Sequence, residues 1–292
     1  MLQTSVRTLK QLVTSREQAQ PARANVMSEN TLRPPAVVLS NRLRMLSFNI
    51  QVGINTQHYR HYVTRSWQHV LPSQRRNENL DQIAYLLREF DLVALQEVDG
   101  GSIRSGYINQ TEYLARKGHF PYWYHQLNRD LGRFAQHSNG FLCRANPQQV
   151  EDHKLPGRLP GRGAIVVRLG NEEEHIIIVM MHLSLSQRSR NRQLSYICDL
   201  IAEHKHIVLM GDMNTHAEQL LEKTPLRYGH LRPVHNGEFT FPSWRPSRSI
   251  DHILVSDKIK INEVSVLNKR LSDHLPVAVE IELPFELTFP QK

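Results

Sequence analysis

The chain has 292 residues, 40% of them hydrophobic and 22% charged, ordinary proportions for a folded protein that exclude a disordered one. The formal charge of +8 and pI near 9.6 invite an anionic partner, nucleic acid first. However, residues 1–44 hold seven basic side chains against two acidic ones, so most of that excess belongs to one end. The two cysteines, Cys143 and Cys198, lie in no CxxC or Cys/His cluster, which excludes a zinc site of the usual spacing.

Residues 1–42 are rich in Gln, Arg, Ser, Thr and Ala and include Arg33-Pro34-Pro35. They read as a mobile basic extension, within which Met27 is an alternative start. Residues 43–292 then read as one domain. Short β-rich runs are expected at 43–50, 92–96, 139–144, 164–169, 175–183, 207–210, 250–255 and 277–281. Leu80, Ile83, Ala84 and Leu87 recur at helical spacing, and so do Leu194, Ile197, Cys198 and Ile201. Leu92–Leu95 and Ile207–Met210 are almost wholly apolar, as strands covered on both faces are. The pattern is mixed α and β with many strands and few long helices. The apolar run Ile176–Met181 is too short to span a bilayer, and the first residues contain no apolar signal segment. A cytoplasmic protein is the expectation.

Polar residues cluster where these strands end or begin. Asn49, Glu97 and His182 close apolar strands, Asp212 and Asn214 follow one, and Asp251 opens another. Asp273 and His274 precede the last. Strand ends are rigid places on which to hold a site, and a buried carboxylate needs a partner. Four carboxylates, two Asn and two His form an oxygen-rich donor set suited to a hard cation, Mg²⁺ or Mn²⁺. Asp and His supply the acid–base groups for activating water. Neither a GxxxxGK[ST] phosphate loop nor a GxSxG elbow is present. Metal-assisted hydrolysis is the chemistry that uses these groups.

Each motif alone is weak, since GDMN and SDH are also ordinary turn sequences. Their order carries the information. Leu46-Ser47-Phe48-Asn49, Leu95-Gln96-Glu97, Gly211-Asp212-Met213-Asn214 and Ser272-Asp273-His274 together resemble the endonuclease/exonuclease/phosphatase family of DNase I-like metal-dependent phosphodiesterases. Ile250–Leu254, His182–Leu185 with Arg190 and Gln193, and His137–Leu142 resemble further segments of it. The resemblance covers roughly residues 43–283. His182 places the chain nearer the family's His-bearing branches.

The resemblance implies a four-layer αββα sandwich of two mixed sheets flanked by helices. It implies that Glu97 binds Mg²⁺ or Mn²⁺, with Asn49 and Asp273 on the metal side. Asp212 would orient or deprotonate water, Asn214 would bond a phosphate oxygen, and His182 would face the phosphate. His274, held by Asp251, would share the acid–base work. Asn139, Arg190 and Trp244 are candidate substrate contacts. The leading expectation is a nuclease, with a phospholipid or sphingomyelin phosphodiesterase or a small phosphomonoesterase as alternatives. A non-catalytic module is disfavoured, because every expected polar position is filled. In the loop 241–248, Phe241 and Trp244 either stack bases or pack beneath it, and Arg245 and Arg248 accompany them. Arg158 and Arg162 are further candidate phosphate contacts, whereas Arg188 and Arg192 read better as a solvated charged face.

Overall fold

The computed structural model describes residues 20–27, 37–56, 58, 73–157 and 161–291. Its central strands alternate between two buried faces. In β3 (Val37–Asn49), Leu43 and Met45 point one way, Leu46 and Phe48 the other. The same division holds in β4 (Leu92–Asp99), β9 (His175–His182) and β10 (Ile207–Asp212). A strand's period of two then requires an apolar residue at nearly every position, which is why these segments read as continuous runs.

One sheet has the order β1-β7-β8-β9-β10-β12-β11 and the other β13-β14-β3-β4-β6-β5-β2. The remaining strands are β1 (Gln20–Ala22), β2 (Asn25–Val26), β5 (Tyr122–Asp130), β6 (Gln136–Cys143) and β7 (Gln149–Lys154). They continue with β8 (Gly163–Gly170), β11 (Leu231–Pro233), β12 (Asp251–Ser256), β13 (Lys260–Val266) and β14 (Val277–Pro290). The sheets enclose a core that includes Met45, Ala94, Phe141, Ile178, Met210 and Val279. Outside the second sheet, α1 (Gln74–Leu87) and α2 (Gln110–Gly118) pack Leu80, Ile83 and Leu114 onto Phe48 and Leu95. Outside the first, α3 (Gln187–Ile201) and α4 (Ala217–Glu222) pack Leu194, Ile197 and Leu220 onto Val179 and Leu209. The result is the αββα sandwich. Filling each buried apolar position contributes about 1.5–3 kcal/mol against exposure.

Two parallel pairs set the position of the site. β3 and β4 run parallel around α1, and β9 and β10 run parallel around α3. Their C-terminal ends carry Asn49, Glu97, His182 and Asp212, the end of an open α/β sheet where ligands bind. β12 is antiparallel to β10, so Asp251 pairs directly with Asp212. β14 is antiparallel to β3, so Val277 pairs with Ser47 and the preceding Asp273-His274 reaches the same rim.

Residues 20–27 fall inside the stretch that composition assigns to the extension, yet they add edge strands to both sheets. β1 pairs with β7 and β2 with β5. Residues 1–19 and 28–36 lie outside the described residues, as does Arg158. No helix among the described residues is long and apolar enough to cross a membrane.

Candidate active site

The strand ends converge. Asn49 Nδ2 donates to Glu97 Oε1 and to Asp212 Oδ2, both at 3.2 Å. Asp212 Oδ1 accepts the backbone N–H of Asn214 at 3.0 Å, closing the GDMN turn on its own carboxylate. Asn214 adopts φ +51° and Glu97 φ +55°. Left-handed backbone at non-glycine residues is uncommon and concentrates at functional sites. At Glu97 the β4–β6 register shifts, which turns this carboxylate out of the ladder. Gly211 has no such freedom to change: at φ +143°, an added Cβ would meet Met181 O at 1.9 Å.

His274 Nδ1 lies 3.0 and 2.9 Å from the two oxygens of Asp251, so this nitrogen carries the proton and Nε2 faces Asp212 Oδ2 at 4.0 Å. Thr240 Oγ1 donates to Asp251 Oδ2, and His235 Nε2 lies 3.2 Å from the Asp251 carbonyl. His182 Nε2 stands 3.4 Å from Asp212 Oδ2. The ring of Phe241 covers His274, with centroids 4.8 Å apart.

The electrostatics divide the roles. Burial pushes Asp212 up to about 7, and the neighbouring Asp251 charge adds to this. Burial works to lower His274, but the Asp251 carboxylate overrides it and raises the imidazole to about 10. His182 is held well below its ordinary value by burial, then by the Arg162 and His274 charges, so it is neutral. Glu97 is raised by desolvation and by Asp273. Burial lowers Arg162, against the pull of Asp212 and Glu97.

A divalent cation fits this set. Glu97, Asp212, Asp251 and Asp273 bring four carboxylates, and the cations acting on them are Arg162 and His274. That leaves two negative charges on hard oxygen ligands. Two placements are open. Asp212, Asp251 and His274 present ligand atoms within 4.8 Å of one another. However, Asp251 already bonds His274 and Thr240, which makes this trio better suited to moving protons. Glu97, beside Asn49 and Asp273, is the carboxylate that keeps part of its surface open, as do Asn214 and Arg162. Asp212, Asp251 and His274 are buried behind them.

The other candidates are placed as follows. Asn139 is buried and donates to Gln126 Oε1 at 3.0 Å and Gly163 O at 3.2 Å, tying one sheet to the other behind Arg162. Arg190 donates to the carbonyls of Ser184 and Leu185, bracing the loop after β9. The structure thus shows the donors of both residues engaged with the protein's own framework. Trp244 is half-buried in the loop after Phe241. Arg188 and Arg192 lie on α3, on the side of the molecule where that helix packs. Sequence reasoning passed over Thr240 and His235. Both act through Asp251 from irregular chain, where no periodicity marks them. It also passed over Asn79, which donates to Gly53 O and Leu271 O and anchors the two loops flanking the site.

Solved structures share this architecture at low identity. An endonuclease/exonuclease/phosphatase from Beutenbergia cavernae superposes with TM-score 0.63 at 20% identity, over 83% of this chain and 72% of that one. A mannosyl-6-phosphatase from Bacteroides thetaiotaomicron gives 0.59 at 16%, over 82% and 99%. ANGEL2, a 2',3'-cyclic phosphatase, gives 0.58 at 15%, over 87% and 99%. No curated protein sequence matches the chain. The family model for the Endonuclease/Exonuclease/phosphatase family matches residues 46–274, a span that takes in every strand end just described. The chain belongs to the endonuclease/exonuclease/phosphatase family.

Proposed function

We propose that the protein is a Mg²⁺- or Mn²⁺-dependent hydrolase of phosphodiester bonds that acts on nucleic acid. The observation that carries the reading is the placement of Asp212. It is oriented by Asn49 and the Asn214 N–H, sits near neutrality, and faces a neutral His182 and a protonated His274. A carboxylate with a pKa of about 7 is matched to accepting a proton from water at neutral pH. His274 keeps its charge through Asp251, so it can bind a phosphate oxygen and return a proton to the leaving oxygen. Arg162, the His182 N–H and an Asn214 amide N–H supply further stabilisation where charge develops. Glu97, Asn49 and Asp273 would hold the metal. Bound there, it neutralises phosphate charge and acidifies water.

Nucleic acid is favoured over smaller esters by what lines the approach. Phe241 lies on His274, the Arg248 guanidinium stacks over Phe241 at 5.8 Å, and Trp244 and Arg245 follow. Aromatic and guanidinium planes of this kind accept bases and phosphates. ANGEL2, which shares the fold, binds adenosine-2',3'-vanadate.

The test is hydrolysis by the purified chain, with Mg²⁺, of plasmid, single-stranded DNA, RNA, sphingomyelin vesicles and p-nitrophenyl phosphate, beside Asp212→Ala. Metal-dependent cleavage of a nucleic acid that the variant lacks is expected. Turnover of lipid or monoester alone overturns the substrate, and turnover of nothing overturns the enzyme.

A further inference from the structure

The β5–β6 hairpin ends in an apolar tip that belongs to no hydrophobic cluster among the described residues. Leu131 is 43% exposed and Phe134 67%, and nearby Tyr107 is 67% exposed. The tip is nonetheless built. Leu131 N–H donates to Ala135 O at 2.9 Å, and Asp130 Oδ1 accepts from Gly132 N–H at 2.8 Å. Arg133 O accepts from Ile103 N–H at 2.7 Å, tying the tip to the turn that leads to Tyr107.

Its position follows from register. Val98 pairs with Ser138, Asp99 with His137, and Gly100 N–H donates to Gln136 O, so residues 131–136 project onward from the end of β4 that carries Glu97. Basic side chains connect the two places. Gly161 packs on Arg129, where an added Cβ would sit 3.1 Å from the arginine Cβ. The next residue, Arg162, acts on Asp212 and Glu97. Arg129 and Arg133 are exposed on the hairpin itself. Arg162 beside the carboxylates, Arg129 against the adjoining Gly161, and Arg133 next to Phe134 thus place basic residues between the site and an exposed aromatic ring.

We propose that this hairpin is a strand-binding wedge: Arg129 and Arg133 hold phosphates flanking the scissile one, while Phe134 and Leu131 press against an unstacked base. Large apolar side chains flanked by arginines are what a nucleic acid strand accepts in this way. A lipid surface is the competing occupant. It fits less well, because the arginines lead inward to the pocket and Asp130 stands beside them at the tip. The inference rests on the nucleic-acid reading above.

The test uses the double variant Arg133→Ala/Phe134→Ala, both exposed positions. Four readouts are needed: anisotropy of a labelled single-stranded oligonucleotide, its steady-state cleavage, hydrolysis of bis(p-nitrophenyl) phosphate, and co-sedimentation with phosphatidylglycerol vesicles. Oligonucleotide affinity should fall about tenfold or more, and KM should rise with it. Turnover of the small diester should be unchanged. A variant that binds and cleaves the oligonucleotide like wild type overturns the wedge alone. Wild type that hydrolyses the small diester yet neither binds nor cleaves the oligonucleotide overturns the nucleic-acid reading and the wedge together. Loss of co-sedimentation with phosphatidylglycerol vesicles, with oligonucleotide binding intact, overturns the wedge in favour of lipid.

Discussion

Asn49 and Asp212 belong to different sheets, yet Asn49 Nδ2 donates to Asp212 Oδ2 across 3.2 Å. The same amide nitrogen reaches Glu97, so one side chain sets the spacing between the carboxylate proposed to hold the metal and the one proposed as base. Its N–H groups favour the charged form of both acids. Asn49→Ala should therefore raise the pKa of Asp212 further and move the acidic limb of the kcat/KM profile to higher pH. A fall in kcat of about 10²-fold is expected. The profile on bis(p-nitrophenyl) phosphate measures both.

Asp251→Asn removes the charge that lifts His274 and leaves burial, which lowers it. The imidazole should then lose its proton well below pH 10, and the alkaline limb of the rate profile should shift to lower pH. Turnover should fall about 10²–10⁴-fold. NMR titration of His274 in the variant checks the cause independently of rate.

Asp212 has a cost in the metal-free protein. Its folded pKa lies at about 7, above the ordinary carboxylate value of 3.8. Such a group leaves stability intact below the unfolded pKa and removes it as pH rises through the folded one. Asp212→Asn should therefore raise Tm at pH 8 in EDTA, with little change at pH 4, while activity is lost. Thermal unfolding at the two pH values decides it.

Glu97→Gln keeps the volume and the bond to Asn49 but halves the charge available to a divalent ion. The Mg²⁺ concentration for half-maximal activity should rise about tenfold or more, by analogy with altered metal shells. Mn²⁺ should rescue more than Mg²⁺, because it tolerates nitrogen and neutral ligands better. A metal titration of rate, with calorimetry on the same samples, provides the measurement.

Arg144 tests the framework away from the chemistry. Its guanidinium donates to the carbonyls of Phe90, His119, Arg88 and Gly118 and lies 4.5 Å from the Phe120 ring centre. Arg144→Met leaves those buried acceptors unsatisfied and should cost about 2–4 kcal/mol. Urea unfolding should show a lower midpoint with unchanged slope, and activity per folded molecule should be preserved.

The sequence made the buried centre of the fold readable and its margins much less so. β3, β4, β9 and β10 are covered on both faces, so their apolar runs leave no ambiguity. β5, β7 and β13 are half-exposed and rich in polar residues, and β7 reads Gln-Val-Glu-Asp-His-Lys, which no periodicity test marks as a strand. α2 buries Leu114 and Ala115 as its apolar contribution, although Asn109 caps it by accepting from Thr111 and Glu112 N–H. The strand-end residues were readable because each stands where an apolar run stops or starts. Thr240 and His235 were not, because both act from irregular chain, and Asn79 was not, because its helical position says nothing of the two loop carbonyls that its amide reaches. For Asn139 and Arg190 the fold adds partners that no motif specifies: Gln126, Gly163, Ser184 and Leu185. A motif gives the position of a side chain, and only the fold shows what its donors meet.

The last strand has a consequence for how the protein is made. β14 lies between β13 and β3 in the interior of its sheet, and His274 sits just ahead of it. Until residues 277–290 have left the ribosome, β3 has an open edge and the imidazole has no fixed place beside Asp251. A growing chain therefore carries Glu97 long before His274 is seated against Asp251. The site therefore closes only once β14 has docked, after every one of its residues has already been made.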